Sequence, residues 1–197
     1  MTAGPVHPVS QAFQEARASL ASAKVRTDLI VTEIPSPTEV APFSVALAGD
    51  VRQRVHGEES ELGTGRFILL HDPEGQTAWD GTFRVVCFAQ APLETDIGTD
   101  PFLAEVSWSW LTDALDTRGA VYTAASGTAT TVVSTGFGEL ADQGTGAKVE
   151  LRASWTPGNL DLAAHLEGWG ELLCMLAGLP PAGEGVSVLS ARRAGRG

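Results

Sequence analysis

The stretch that decides the fold is GRFILLHDPEGQTAWDGTFRVVCF, residues 65–88. It holds two apolar runs, GRFILL (65–70) and TFRVVCF (82–88), in which large side chains occupy both alternating positions. Because successive side chains of a strand point to opposite faces, these runs predict central strands covered on both sides. The intervening HDPEGQTAWDG (71–81) holds Asp-Pro, Glu-Gly and Asp-Gly steps, which predict a long hairpin loop with its own turns.

Periodicity and capping residues on either side of this hairpin complete the order of elements. The predicted elements are a helix from Ser10 to about Lys24, strands at 28–34 and 42–55, the two hairpin strands, a helix from Asp100 to Gly119, strands at 121–135 and 147–155, and a helix that Asn159 caps and Gly178 follows. Helix, four strands, helix, two strands and helix predict an α+β fold with a mainly antiparallel sheet of about six strands.

The length of the chain fits one domain. At 197 residues, it lies within the usual size of a single folding unit. We predict a globular domain over 10–182, an N-terminal tail over 1–9 and a flexible C-terminal tail over 183–197, because both ends lack periodicity and are rich in proline or glycine.

Charge and cysteine usage exclude several classes of protein. Thirteen Lys and Arg residues against 24 Asp and Glu give a net charge of −11, the wrong sign for binding a phosphate backbone, so nucleic acid is not an expected primary partner. No stretch approaches the roughly 18 apolar residues that cross a bilayer, so no membrane partner is expected. Cys87 and Cys174 lie inside apolar runs, which predicts buried free thiols and, without a signal peptide, a cytoplasmic location.

The densest group of chemically active side chains lies in and beside the hairpin loop. It comprises His71, Asp72, Trp79, Asp80 and Arg84. An imidazole beside carboxylates and a guanidinium could perform acid–base chemistry or bind an anion, so these five are candidate ligand-binding residues. The structural alternative is a capped loop, in which both aspartates form turns, the tryptophan covers the edge of the core and the arginine pairs with a carboxylate.

Catalytic motifs are absent from the sequence. It holds no GxSxG elbow, no HExxH pair, and neither a Walker nor a GxGxxG pattern. We therefore assign no catalytic residue, no metal ligand and no cofactor. His165 lies at the edge of the apolar stripe of the last helix, where packing is its expected role.

Two tryptophans have different predicted roles. Trp169 lies at the centre of the apolar stripe of the last helix and is expected to anchor that helix on the sheet. Trp108 falls at the margin of its helix stripe beside Thr112, so part of its ring can face a partner. We predict Trp108 and Thr112 as interface residues.

Several runs of the chain resemble an uncharacterised actinobacterial family of similar length, over about residues 10–182. They are ELGTGRFILLHDPEGQTAWDGTFRVV, VSWSWLTDAL, YTAASGTAT and DLAAHLEGWGELLCMLAGLPP. The family is defined as a domain of unknown function, so the resemblance implies no chemistry. Such genes can neighbour one for a ribonuclease-D-like exonuclease, which implies an accessory role in RNA processing as one alternative. The element order is also similar to that of type III secretion chaperones, which bind proteins rather than turn over substrates.

Two further hypotheses come from the residues themselves. The first is a non-enzymatic, chaperone-like or adaptor protein that binds a protein partner or self-associates as a homodimer. Three helices can cover one face of the sheet, whereas the central strands require cover on both. The second is a small-ligand binder or enzyme that uses the hairpin group, which requires the five side chains to converge on a pocket of about 300 Å³ or more.

Overall fold

Helices and strands follow one another in the predicted order. A computed structural model describes residues 10–55 and 58–181 of the chain, and the predicted tails 1–9 and 183–197 lie outside these described residues. The helices are α1 (Gln11–Ala21), α2 (Thr95–Gly98), α3 (Leu103–Thr117) and α4 (Leu162–Leu176). The strands are β1 (Leu29–Ile34), β2 (Phe43–Val55), β3 (Glu58–Gln76), β4 (Gly81–Leu93), β5 (Tyr122–Thr135) and β6 (Thr145–Pro157).

The six strands form one antiparallel sheet in the order β1-β2-β3-β4-β6-β5. This arrangement confirms the predicted α+β class with a six-stranded antiparallel sheet. Strands β1 to β4 follow one another as a meander, whereas β6 is inserted between β4 and β5. Strand β5 is therefore an edge strand, and the 14 residues of its sequence, YTAASGTATTVVST, include no charged side chain.

The side chains of the central strands alternate between two faces of the sheet. Odd-numbered residues of β3, β4 and β6 point towards the helices and form the main core. Its buried members include Phe67, Leu69, Val85, Leu151 and Trp155. Helix α1 contributes buried Phe13 and Leu20 to this core, and α3 and α4 contribute their own apolar stripes. The three long helices thus cover one face, and even-numbered strand residues point to the other.

Trp169 attaches α4 to the sheet, as the sequence predicts. Its indole is fully buried, lies 5.8 Å from the Phe67 ring between centroids, and donates a hydrogen bond from Nε1 to the Phe88 carbonyl oxygen at 3.2 Å. The ring fits because Gly49 and Gly65, paired across β2 and β3, leave room for it.

Helix α3 packs beside α4 and over the edge strand. A Cβ at Gly127 would lie 2.6 Å from Cζ3 of Trp108, so this glycine allows α3 to approach β5 closely. The pairing of β5 is irregular between Thr123 and Ser126, and Ala124 in this interval has a positive φ of 51°. The interruption in β5 therefore precedes Gly127, whose own role is to accommodate the tryptophan.

The second face of the sheet is covered only at one end within the described residues. There Trp79 packs with Ala41 and Leu70 into a small apolar cluster, against which Ile68 and Val86 also pack. Thr156 supports this cluster by donating a hydrogen bond to the carbonyl of Trp79. Beyond this cluster, no other described segment packs on the second face.

Two local predictions need correction. The stretch 71–81 is shorter as a loop than predicted, because β3 extends to Gln76, which pairs with Gly81, and Thr77–Trp79 forms a 3-10 turn. The predicted internal turns are present, since the pairing shifts between His71 and Gln76, where Asp72 accepts from the backbone N–H of Glu74. The prediction that Asn159 caps α4 is also wrong. The N-cap is Asp161, whose backbone N–H donates to the Asn159 side chain at 3.0 Å, so the asparagine forms a turn just before the helix.

Candidate functional site

The open part of the second sheet face forms a groove of about 840 Å³. Four strands contribute to it, β3, β4, β6 and β5. Its volume lies within the range of roughly 300–1,000 Å³ typical of binding pockets. The strand register arranges its side chains in three rows that run across the sheet.

The middle row places an aromatic ring between two arginines. Phe88 of β4 pairs with Arg66 of β3 on one side and with Arg152 of β6 on the other. The guanidinium carbon of Arg152 lies 5.4 Å from the centroid of the Phe88 ring, which is a cation–π contact. Strands lie about 4.8 Å apart, so the two arginines leave the backbone roughly 10 Å apart. We call Arg66, Phe88 and Arg152 the Arg–Phe–Arg row.

The two flanking rows differ in polarity. On one side, Ile68 and Val86 provide a half-buried apolar floor that ends at Ser154 and Ser126. On the other side, Thr64 provides a hydroxyl that donates to Asp50 at 2.9 Å, and Gln90 provides an amide beside Glu150 of β6. The groove therefore offers an apolar strip, a cationic row and a polar strip side by side, and a carboxylate lies at each end of the polar strip.

Positive charge in the groove is poorly neutralised. On the helix side, Arg26 and Arg118 bind Glu171 at 3.2 and 3.1 Å. In the groove, Arg66 has no hydrogen-bonded or ionic partner among the described residues. The nearest ionic partner of Arg152 is Glu150 at 3.8 Å, and the Arg152 side chain is 71% exposed.

A third guanidinium lies behind the groove wall. Arg84 is buried and donates to the carbonyl of Ala124 at 3.1 Å, to Thr156 Oγ1 at 3.0 Å and to Ser154 Oγ at 2.7 Å. These acceptors are all neutral, and burial lowers the pKa of the guanidinium. Because Ser154 lines the groove and accepts a hydrogen bond from Arg84, the Arg84 guanidinium lies close behind the groove. Its positive charge therefore reinforces that of the Arg–Phe–Arg row.

The polar side chains in the described lining of the groove are four hydroxyls, one amide and two guanidinium groups. Among its described lining residues, none carries an imidazole, a carboxylate or an amine. Cys87 contributes only backbone, because its side chain belongs to the buried core on the helix side, where burial raises the thiol pKa to about 12. Ser154 Oγ accepts a hydrogen bond from Arg84 and lies 3.5 Å from Ser126 Oγ, and neither hydroxyl contacts an imidazole or a carboxylate among the described residues.

The predicted hairpin group is divided between the two faces of the sheet. His71 lies on the helix side, where its ring stacks on Phe83 at 4.1 Å between centroids. Its Nδ1 lies 2.9 Å from the Thr82 carbonyl, its Nε2 lies 2.9 Å from Ser10 Oγ, and burial lowers its pKa. Arg84 lies on the opposite face, so the structure does not bring His71 and Arg84 together.

The other three members of the hairpin group have separate surroundings. Asp72 accepts hydrogen bonds from the backbone N–H of Glu74 at 3.1 Å and from the Gln76 amide at 3.2 Å, as an Asx-turn residue does. Trp79 is buried in the small apolar cluster, and Asp80 is exposed in the left-handed conformation with φ of 53°. None of the five side chains lines the groove, and their role as ligand-binding residues stays a prediction.

The predicted interface residues lie on the helix side. The Trp108 ring is half-buried against Gly127. Thr112 is also half-buried, and its hydroxyl donates to the carbonyl of Ser109 at 3.0 Å. Their contact with a partner stays a prediction, and it would use a different surface from the groove.

Sequence reasoning missed the Arg–Phe–Arg row. Phe88 and Arg66 belong to the two runs that decide the fold, but Arg152 lies in a strand far along the chain. The signal was present in part, since an arginine at an even position of GRFILL falls on the face opposite Phe67. Only the pairing of β4 with β6 rather than with β5 places Arg152 beside Phe88.

Residues 10–55 and 58–181 contain neither a candidate metal site nor a membrane-spanning helix. No three side chains of His, Cys, Asp or Glu are grouped so that they could hold a metal ion. No helix in this part of the chain has the length and apolar character needed to cross a membrane.

The fold and groove define an α+β protein whose antiparallel sheet is covered by helices on one face and, within the described residues, only by the Trp79 cluster on the other. The chain belongs to the family described as "Protein of unknown function (DUF3000)", whose family model matches residues 9–187. Neither a curated protein nor a solved structure matches the chain.

Proposed function

We propose that this protein is a non-enzymatic binding protein that holds a polypeptide segment of a partner in the groove on the open face of its sheet. The observation that carries this proposal is the uneven cover of the sheet. All three long helices pack on one face, while Ile68, Val86 and Phe88 on the other face are only half-buried. A partner that fills the groove would remove this apolar surface from water.

The shape and chemistry of the groove support a polypeptide as the ligand. An extended segment presents apolar side chains, backbone amides and polar side chains together, and the three rows of the groove offer a counterpart for each. The lack of a proton-transfer group in its described lining favours binding over catalysis. Self-association and a cytoplasmic location stay predictions from the sequence.

The experiment that tests this function is selection of peptides on the full chain, followed by a mutation that blocks the groove. A random peptide library displayed on phage is selected on the immobilised protein, and the affinities of the selected peptides are measured by fluorescence anisotropy. Thr128, an exposed residue of the groove wall, is replaced by tryptophan. Aromatic residues favour strands, so Thr128→Trp should fold while its indole occupies the groove.

The matched control is Thr117→Trp, the same change at an exposed position near the end of α3. We expect peptides that bind the wild type and the Thr117→Trp variant equally well, and the Thr128→Trp variant at least about tenfold more weakly, a difference of about 1.4 kcal/mol. If no selected peptide distinguishes the two variants, the groove is not a polypeptide-binding site.

A further inference from the structure

We infer that the segment bound in the groove is anionic and that its aspartate or glutamate carboxylates pair with Arg66 and Arg152 on either side of Phe88. This inference rests on the proposed function, because it specifies the partner of the same groove. Among polypeptide partners, the inference specifies those that carry negative charge in the bound segment.

The first argument is the contrast between the groove and the whole chain. A protein with a net charge of −11 has carboxylates available to neutralise its arginines, and it uses them on the helix side, where Glu171 binds two guanidinium groups. In the groove, Arg66 lacks an ionic partner among the described residues, and Arg152, at 3.8 Å from Glu150, shares that carboxylate with Lys148 at 2.7 Å. One unpaired guanidinium group and one that shares its carboxylate leave excess positive charge in this row, which is complementary to an anion.

The second argument is the geometry of the Arg–Phe–Arg row. Its arginines leave the sheet roughly 10 Å apart, and their long side chains can each cover several ångströms. Side chains on one side of an extended segment recur about every 7 Å, so acidic residues in alternate positions can reach both guanidinium groups. Each guanidinium can then form paired hydrogen bonds to one carboxylate, an arrangement that favours Arg over Lys.

The apolar strip defines the rest of the segment. Ile68 and Val86 lie beside the row and are half-buried, so they offer contact to aliphatic side chains of the bound segment. We therefore expect acidic and aliphatic residues together rather than a purely acidic sequence. A single-stranded nucleic acid fits less well, because the net charge of −11 repels its phosphates beyond the groove and Phe88 is the one aromatic side chain in the described lining on which a base could stack.

The test compares charge-removing variants on the peptides selected with the full chain. Arg66→Gln and Arg152→Gln remove one positive charge each from exposed positions. Lys24→Gln is the matched control, because it removes one positive charge from an exposed position just after α1, outside the groove. Thermal unfolding of each variant verifies that it folds, and an Arg66→Lys variant separates the need for charge from the need for a guanidinium group.

We expect the selected peptides to be enriched in Asp and Glu and to bind more weakly as salt is added. Each arginine variant should lose about tenfold in affinity, which is the scale of a charged hydrogen bond, and Lys24→Gln should lose none. Replacing the acidic residues of a selected peptide by their amides should weaken binding to the wild type by the same factor. The same replacement should cause little further loss in a double variant that carries both Arg66→Gln and Arg152→Gln.

Other results would overturn the inference in distinguishable ways. Neutral peptides that are sensitive to Thr128→Trp but not to the arginine variants would leave the proposed function standing and remove the anionic partner. No peptide sensitive to Thr128→Trp would remove both. Binding of single-stranded poly(U) that the double arginine variant abolishes, without peptide binding, would replace the polypeptide with RNA. A wild-type dimer in sedimentation that the double variant dissociates would replace the foreign partner with a second copy of the chain.

Discussion

The indole of Trp169 lies directly on Gly65, so closely that a Cβ at residue 65 would come within 2.7 Å of Cζ2 of the tryptophan. The same Cβ would lie 2.5 Å from the carbonyl oxygen of Phe88. That carbonyl accepts the hydrogen bond from Trp169 Nε1, while the Phe88 ring belongs to the groove on the opposite face. Phe88 therefore serves both faces of the sheet, since its carbonyl helps to attach α4 and its ring lines the groove.

Replacing Gly65 with alanine should destabilise the protein by about 1–3 kcal/mol, the usual cost of overpacking. The new methyl group has no free space, because one neighbour is backbone and the other is a fully buried ring. The control is Gly146→Ala, where no heavy atom lies within 4 Å. Chemical denaturation should find this variant equal to wild type or more stable by up to about 1 kcal/mol. Equal stability of the two variants would contradict the close packing of Trp169 on β3.

Trp169→Ala should cost about 3–5 kcal/mol of the free energy of unfolding, because it removes a fully buried aromatic side chain. Trp108→Ala should cost less, since that ring is half-buried and covers Gly127 from one side. Urea denaturation of both variants beside wild type measures the difference. If the two substitutions destabilise equally, Trp108 is a core residue, and its predicted contact with a partner loses its support.

The buried imidazole of His165 should make stability depend on pH below neutrality. Its Nδ1 accepts a hydrogen bond from Trp155 Nε1 at 2.9 Å, and burial lowers its pKa from 6.5 to about 4. Between these values the unfolded chain binds a proton that the folded protein does not, so stability decreases as the pH falls from 6.5 to 4. The loss from this residue is about 3 kcal/mol, at roughly 1.4 kcal/mol per pKa unit.

The measurement compares urea denaturation of wild type and His165→Gln across this pH range. Glutamine keeps an acceptor for Trp155 but cannot be protonated, so the variant should lose less stability on acidification. Carboxylates that titrate in the same range are present in both proteins and cancel in the comparison. Parallel pH curves would mean that His165 becomes protonated in the folded state without penalty.

Both thiols should be unreactive in the folded protein. Cys87 and Cys174 are free and buried, and burial raises the pKa of each to about 12. Because the thiolate is the reactive form, Ellman's reagent should label neither residue at pH 8 until denaturant is added. Rapid labelling of one thiol without denaturant would show that its region opens readily in the folded protein.

The order of elements could be predicted because it depends on local patterns. The alternation in GRFILL and TFRVVCF and the stripe around Trp169 each lie within one segment, and tertiary packing did not override them. Element ends depend on single hydrogen bonds. For that reason the predicted N-cap of α4, Asn159, lies two residues before the actual one, Asp161, in a turn that resembles a cap.

The groove could not be predicted because it depends on which strands pair and in what register. Arg66, Phe88 and Arg152 become neighbours only through the pairings β3–β4 and β4–β6. The division of His71 and Arg84 has the same cause. A shift of one residue moves a side chain to the other face of a sheet, and sequence proximity in a hairpin does not determine the face.

The uncharged edge strand has a consequence for handling the protein in solution. Strand β5 pairs with β6 on one side, and among the described residues no strand covers its other side. An uncharged edge strand can pair with the edge strand of another molecule, which leads to aggregation. In this protein, electrostatic repulsion between molecules of net charge −11 opposes such pairing. This repulsion vanishes near the isoelectric point of about 4.7. Concentrated samples should therefore stay dispersed at neutral pH and low salt, and should precipitate most readily in mildly acidic buffer.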